Sequence, residues 1–357
     1  MYPGDVRVFA VNPGSTSTKL ALLQVDNEAI FILEEKVLHN SPVPSIAEDL
    51  EKRRPDVMSQ ASAWAPFEAI AARGGLLGPV PAGVYVVDEE MVRICLESPH
   101  GAHPANLAAV LAFELARSHG VPAFVVDPPT VDELEAVSRI SGAPGITRRS
   151  RVHALNLRYT ARKVAAEVGE DFENVPLIGA HLGGGTSVVR FACGRMVDTN
   201  DALLGEGPFS PNRAGTVPVY GVINKTAREG RETARNFFGR ESGFLGLLGT
   251  DDLRRVERNL DDPEVRLITD AYALQVAKYM LGLAAGGRPR AFFLTGAGAR
   301  FVYAVQQITN RLNWVAPVHI HAGEFEMQAL ASGVKRVLSG REAPKKIGEV
   351  LDGSAGL

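Results

Sequence analysis

The chain has 357 residues, 45% hydrophobic and 22% charged, with a formal net charge of −3, which suits about two domains of an ordinary globular protein. That charge leaves no footprint for nucleic acid, like charges occur only in short pairs such as Arg53–Arg54 and Lys345–Lys346, and the two cysteines, Cys95 and Cys193, form no CxxC pair and argue against a disulfide scaffold or a zinc site. The first strand starts almost at once without a basic and apolar leader, and no uncharged run is long enough to span a bilayer, so the expected setting is the cytoplasm.

The β-branched runs Val6–Val11, Leu20–Val25 and Ala29–Leu33 predict consecutive strands, with the small polar turn Asn12 to Lys19 between the first two. Arg73 closes the apparent strand AIAARGGLL just before two glycines, and apolar spacing predicts a helix over Pro104–Ser118. The strand Ala123–Val126 breaks at a Pro–Pro pair, which places a domain crossing near Asp127. A helix over Arg148–Val168 carries His153 near its start, and the strand Leu177–His181 leads through Gly183-Gly184-Gly185-Thr186-Ser187 into another β-branched run. Asp201–Pro218 is a long loop without periodicity; then come a helix over Pro263–Ala284, the strand Phe292–Leu294 with the turn Thr295–Gly298, the strand Val318–Ile320 and a helix over Glu326–Leu338. The alternation predicts an α/β fold, and the two glycine hairpins, one in each half, suggest that it is duplicated.

Those hairpins point to phosphate. Small residues let backbone N–H groups approach an anion, and Asn12, Ser15, Ser17 and Lys19 add polar groups in the first turn. Alone, the first turn is equally readable as an exposed serine-rich hairpin, and the second as a tight bend packed on a neighbour. Gly296 and Gly298, between a strand and a helix, suit a nucleotide contact. There is no Walker A sequence and no complete GxGxxG. Arg73 and Arg213 are candidates for gripping anions, against the ordinary reading of each as a surface residue, and His153 for a donor, against that of a packed helical histidine. Asp127 and Glu324 follow strands, where carboxylates can hold Mg²⁺, with structural capping as the alternative. His319 and His321 alternate on one strand face without a third metal ligand at a convincing spacing and read as structural.

Taken together, NPGSTSTK at Asn12, RGGLL at Arg73, VVDP at Val125, SRISG at Ser138, HLGGGTS at His181, EGPFSPNRAG at Glu206 and HAGEFE at His321 resemble the acetate and butyrate kinase family over nearly the whole chain. The butyrate branch is the nearer one, because the acetate kinases carry HLGNG where this chain has HLGGG, and FHGTSH where it has Val152-His153-Ala154-Leu155-Asn156. The resemblance implies two actin-like (ribonuclease H-like) α/β domains with an interdomain active-site cleft, one formed by residues 1–126 plus the C-terminal helix 327–357, the other, nucleotide-binding, by 127–326. It implies Mg²⁺-dependent, reversible phosphoryl transfer between ATP and butyrate or a similar short-chain carboxylate, with ADP and an acyl phosphate as products, in a homo-oligomer. Arg73, His153 and Arg213 would then be catalytic together with Asp127, and Asp127 and Glu324 would organise the metal. Asn12, Ser15, Ser17, Lys19, His181, Gly183, Gly184, Gly185, Gly296 and Gly298 would hold the nucleotide. Rival expectations are a kinase for propionate, isobutyrate or another short-chain acid, and, more remotely, an actin-like ATPase switch.

Overall fold

The computed structural model describes residues 5–26, 29–41 and 45–354, so both ends of the expected first domain extend beyond the described residues. The chain divides into two compact units, Met1–Val131 with Phe325–Leu357, and Asp132–Glu324. The divisions fall at 131/132 and 324/325, against the expected 126/127 and 326/327. Asp127 therefore belongs to the first unit, where its backbone N–H donates to the Gly83 carbonyl at 2.9 Å, and Val131 is held there by a parallel bridge to Val80.

Unit 1 contains β1 (Val6–Pro13), β2 (Ser17–Val25), β3 (Ile30–His39), α1 (Ile46–Trp64), β4 (Ala69–Ala72), β5 (Val84–Val86), α2 (Glu89–Glu97), α3 (Leu107–His119) and β6 (Ala123–Val126). Unit 2 follows with α4 (Ala154–Glu167), β7 (Leu177–Leu182), β8 (Thr186–Ala192), β9 (Arg195–Thr199), α5 (Val219–Glu229), α6 (Arg231–Arg240), α7 (Gly243–Leu248), α8 (Leu253–Arg258), α9 (Pro263–Leu283), β10 (Ala291–Gly296), α10 (Val302–Leu312) and β11 (Val318–Ala322). The chain then returns to unit 1 with α11 (Glu326–Leu338) and α12 (Ile347–Ser354).

The sheet orders are β3-β2-β1-β4-β6-β5 and β11-β10-β7-β8-β9. Apart from the short β5, each sheet has the same plan: an antiparallel meander of three strands, whose first member also pairs in parallel with the next strand along, as β1 does with β4 and β7 with β10. The hairpins flagged in the sequence are the first turns of these two meanders. In unit 1, Phe9 and Val11 of β1 join a core with α1, α2 and α3, while α11 packs on the other face, where Gly333 lies against Val126. In unit 2, Ile178, Ala180 and Leu182 of β7 join a core with α9 and α10, and α4 covers the face that carries Gly179, His181, Phe293 and Thr295.

The helices predicted over Pro263–Ala284 and Glu326–Leu338 hold to within one residue and that over Pro104–Ser118 to within three, but the one expected from Arg148 starts only at Ala154. The difference is tertiary. Arg148 donates to the Ser138 and Thr199 carbonyls at 2.7 and 2.6 Å and forms ion pairs with Asp198 and Glu206, and Arg151 bridges to Asp201, which holds 148–151 extended.

Arg53, one of the short basic pair, is only 1% exposed. Its Nε donates to Asp49 Oδ1 at 2.7 Å, and its Nη1 donates to the Gly14 carbonyl at 2.9 Å and to Thr18 Oγ1 at 3.0 Å, so α1 holds the first glycine turn from inside. Arg53→Met strands the buried Asp49 carboxylate and leaves the turn carbonyls without this donor. We expect a loss of about 3–5 kcal/mol in urea unfolding; a loss below about 1 kcal/mol would show that the turn stands without it.

Candidate active site

In unit 2, His181, one residue from the end of β7, lies directly opposite Ser187 of β8 and beside Thr295 of β10. His181 is buried, and its ring stacks on that of His153 with centroids 4.0 Å apart and planes 11° apart. His153 Nδ1 lies 2.8 Å from Ser187 Oγ, and the His153 backbone N–H donates to the same oxygen at 3.2 Å. His181 Nδ1 lies 2.8 Å from Asn156 Nδ2, one turn into α4.

The glycine turn itself is shaped by close approach. A Cβ on Gly183 would stand 2.8 Å from His181 Nε2, and one on Gly185 would stand 2.1 Å from Arg213 Nη1, whereas Gly184 faces open space. Only glycine lets the imidazole and the guanidinium lie against this backbone. Arg213 reaches it from the irregular 200–218 segment, with Nη1 donating to the Ala202 carbonyl at 2.5 Å and Nε buried without a hydrogen-bond partner among the described residues. Burial pushes the Arg213 guanidinium below its ordinary pKa, with Asp201 opposing that shift and Arg240 adding to it. A buried cation so sparingly paired favours an incoming anion. Arg213 also lines a cavity of about 280 Å³ whose walls include Leu204, Val217, Val222, Ala234 and Phe238.

The third glycine turn has a packing role. Gly296 has φ +87°, and a Cβ there would stand 2.4 Å from the Leu182 carbonyl oxygen; Gly298 is similarly close at 2.8 Å. His319 and His321 both bond Glu167 of α4, at 2.8 and 3.1 Å. Burial works against it, yet these two contacts hold the Glu167 carboxyl below its ordinary pKa. Glu324 is exposed at the end of this unit.

In unit 1, Asn12 holds on β1 the position that His181 holds on β7, one residue from the strand end and opposite Lys19. Asn12 Nδ2 donates to Glu326 Oε2 at 2.6 Å, and Arg73 Nη1 pairs with Glu326 Oε1 at 3.1 Å. Glu326, at the start of α11, thus gathers two predicted residues that lie far apart in sequence. Behind Arg73, the buried Asn106 orders the glycine pair: its Oδ1 accepts the Leu76 N–H at 2.9 Å, and a Cβ on Gly75 would meet it at 2.7 Å. Ser15 is exposed, and Ser17 and Lys19 are half-buried. Asp127 is buried with φ +40°, a strained conformation for a residue with a side chain, and its Oδ1 accepts the Gly83 N–H at 2.8 Å.

The fold has clear relatives among solved structures. It matches acetate kinase from Porphyromonas gingivalis with a TM-score of 0.74 and 20% identity, covering 93% of this chain and all of that one. Acetate kinase from Entamoeba histolytica matches at 0.73 and 18%, over 92% of this chain and 99% of the other. A propionate kinase from Francisella tularensis matches at 0.70 and 17%, over 91% and 98%. The duplicated sheets thus have the actin-like α/β fold of the acetate kinases. The Acetokinase family model matches residues 132–314, just over half the chain, and the chain belongs to that family of carboxylate kinases.

The geometry separates two acidic residues that the sequence could not tell apart. Glu326→Gln, which unties Arg73, is expected to lower phosphoryl transfer about 10–100-fold, and Glu324→Gln to lower it less. Equal rates for the two variants, measured in parallel, would remove the distinction.

Proposed function

We propose that the chain is a cytoplasmic, homo-oligomeric butyrate kinase, transferring the γ-phosphoryl group of ATP reversibly to butyrate to give butyryl phosphate and ADP. The observation that carries this reading is Arg213 lying against the glycine turn that also meets His181, itself stacked on His153, while lining a cavity walled by apolar residues such as Leu204, Val222 and Phe238 together with polar ones such as Asp201, Glu206 and Arg231. A carboxylate is already anionic and nucleophilic at neutral pH, so no general base is needed; the barrier lies in bringing two anions into line. Positive and N–H donors reduce that barrier, and their preorganisation is the main protein contribution to such a transfer.

In this reading, Arg213 and Arg73 neutralise the carboxylate and the transferring group, and His153 donates to phosphoryl oxygens. The backbone of Gly183–Gly185, with His181, holds phosphate, and Asn12, Ser15, Ser17 and Lys19 are the further candidates for that task. Gly296 and Gly298 serve the nucleotide indirectly, by letting the turn after β10 close on Leu182.

Among the described residues no group of three His, Cys, Asp or Glu side chains is arranged to hold a metal ion. Mg²⁺ requires less, since it keeps several waters and takes one or two carboxylates together with substrate phosphates. Asp127 fits that demand, because the Gly83 N–H orients one carboxylate oxygen. Glu324 remains a candidate for holding a metal-bound water, and Glu326 joins it on the strength of its geometry. When bound, the ion supplies charge neutralisation at the phosphates.

The cavity supports an acid with an apolar tail. At about 30 Å³ per water-sized group, a space of about 280 Å³ exceeds the needs of acetate. Hydroxamate trapping with Mg-ATP and acetate, propionate, butyrate, isobutyrate and valerate tests the reading directly. The highest kcat/KM is expected on butyrate, while a maximum on another acid would reassign the substrate and no product from any acid would end the proposal. Arg213→Ala is expected to lower kcat by about 10²–10⁴, and a near-normal rate would remove its role. Ala234→Leu, which fills part of the cavity, should reduce kcat/KM for butyrate relative to acetate by about tenfold or more; an unchanged ratio would place the tail elsewhere.

A further inference from the structure

The two stacked imidazoles differ in what holds their Nδ1 atoms. His153 faces a hydroxyl: Ser187 Oγ accepts the His153 backbone N–H and lies 2.8 Å from Nδ1. A hydroxyl can turn, donating to a bare Nδ1 or accepting from a protonated one, so this contact survives a change of charge on His153. His181 faces the side-chain amide of Asn156, whose Nδ2 is 2.8 Å from His181 Nδ1 and only donates. The amide is oriented by its surroundings. Nδ2 also donates to Thr295 Oγ1 at 3.2 Å, and Thr295 directs its single proton to the Gly323 carbonyl at 3.4 Å, a group that only accepts.

We propose that Asn156 is a positioning residue: it fixes His181 as the neutral tautomer with its proton on Nε2, so that of the stacked pair His153 alone takes up charge. Protonating His181 at Nδ1 would set that N–H against the amide N–H. The other groups facing His181 agree. His153, the residue before α4, stacked at 4.0 Å, repels a second cation, Ser187 of β8 and Thr295 of β10 are neutral, and beyond Nε2 the glycine turn carries the Arg213 guanidinium against Gly185. The tautomer puts the His181 N–H on the side of Gly183, at the turn assigned above to phosphate. A neutral donor there keeps its geometry as the charge on His153 changes.

The consequence for catalysis rests on the phosphoryl-transfer reading; the tautomer does not, and the two are tested separately. Ring ¹⁵N spectra of histidine-labelled protein without substrate, assigned with His181→Gln, are recorded from about pH 8 to about pH 5.5. His181 is expected to keep a bare Nδ1 and a protonated Nε2 throughout while His153 titrates. A His181 ring that titrates, or that carries its proton on Nδ1, overturns the proposal. Asn156→Asp replaces the donor with an acceptor and should move the His181 proton to Nδ1, shift the His153 titration to higher pH because a carboxylate now lies near the stacked pair, and lower kcat about 10²–10³-fold with an altered pH profile. Asn156→Leu should leave both His181 tautomers populated. An unchanged kcat and pH profile in a folded Asn156→Asp would overturn the positioning role, whereas failure of the wild type to phosphorylate any acid would strike the functional reading and leave the spectra to decide the tautomer.

Discussion

The central strand of each sheet imposes the main constraint. β1 and β7 are hydrogen-bonded on both sides and buried on both faces, so along most of their length only apolar or glycine residues fit. Polar chemistry enters only where the strand runs out. Asn12 and His181 sit there, each one residue from the end of its strand, and the following turn must expose backbone N–H groups while bringing the chain straight back as an antiparallel neighbour. The glycine and hydroxyl residues of both turns answer that demand. The side chains that hold Asn12 and His181 come from the helix over the same face: Glu326 of α11 in one unit and Asn156 of α4 in the other.

Phosphoryl transfer to a carboxylate asks for positive charge without a base. In the proposed reading the second unit meets this with the Arg213 guanidinium, which is buried and donates to the Ala202 carbonyl. Such a group is unfavourable without an anion and favourable with one, so part of the folding cost is recovered on binding. On the same proposal, the cavity beside it would take the apolar tail of the acid. An apolar wall resolves chain length weakly, by about 1–3 kcal/mol per methylene, so selectivity among short acids is expected to be graded rather than absolute.

What was legible in the sequence was local. Hairpin turns announce themselves through glycine and hydroxyl residues between β-branched runs, and amphipathic helices such as Glu326–Leu338 through their spacing, because both signals lie within a few residues. The duplicated α/β plan could be read from two similar hairpins. Arg53 could not be read as buried, since its partners at Gly14 and Thr18 belong to another strand turn and its neighbour Arg54 is a surface residue with the same side chain. Glu326 carries no more signal in the sequence than Glu324: two carboxylates two residues apart look alike until a helix start points one of them at Asn12 and Arg73. The helix expected from Arg148 failed for the same reason, because ion pairs to Asp198 and Glu206 override local preference. Asn156 carried a faint signal, standing where the acetate branch has a different residue, but its role depends on Thr295, 139 positions away.

Duplication also shows how one plan comes to hold two chemistries. At the same strand position, unit 1 has an amide held by a carboxylate that also pairs with an arginine, and unit 2 has an imidazole held by an amide. The first arrangement ties Glu326 to both Asn12 and Arg73, at 2.6 and 3.1 Å, and so builds an ion pair into the strand end. The second keeps His181 neutral and leaves the variable charge to His153. Swapping the two would fail on physical grounds: a carboxylate under His181 would draw a proton to Nδ1, and an amide in place of Glu326 would leave Arg73 without its counter-charge. The strand end is therefore a shared socket, and the helix residue beneath it decides whether that socket presents a fixed charge or a neutral donor.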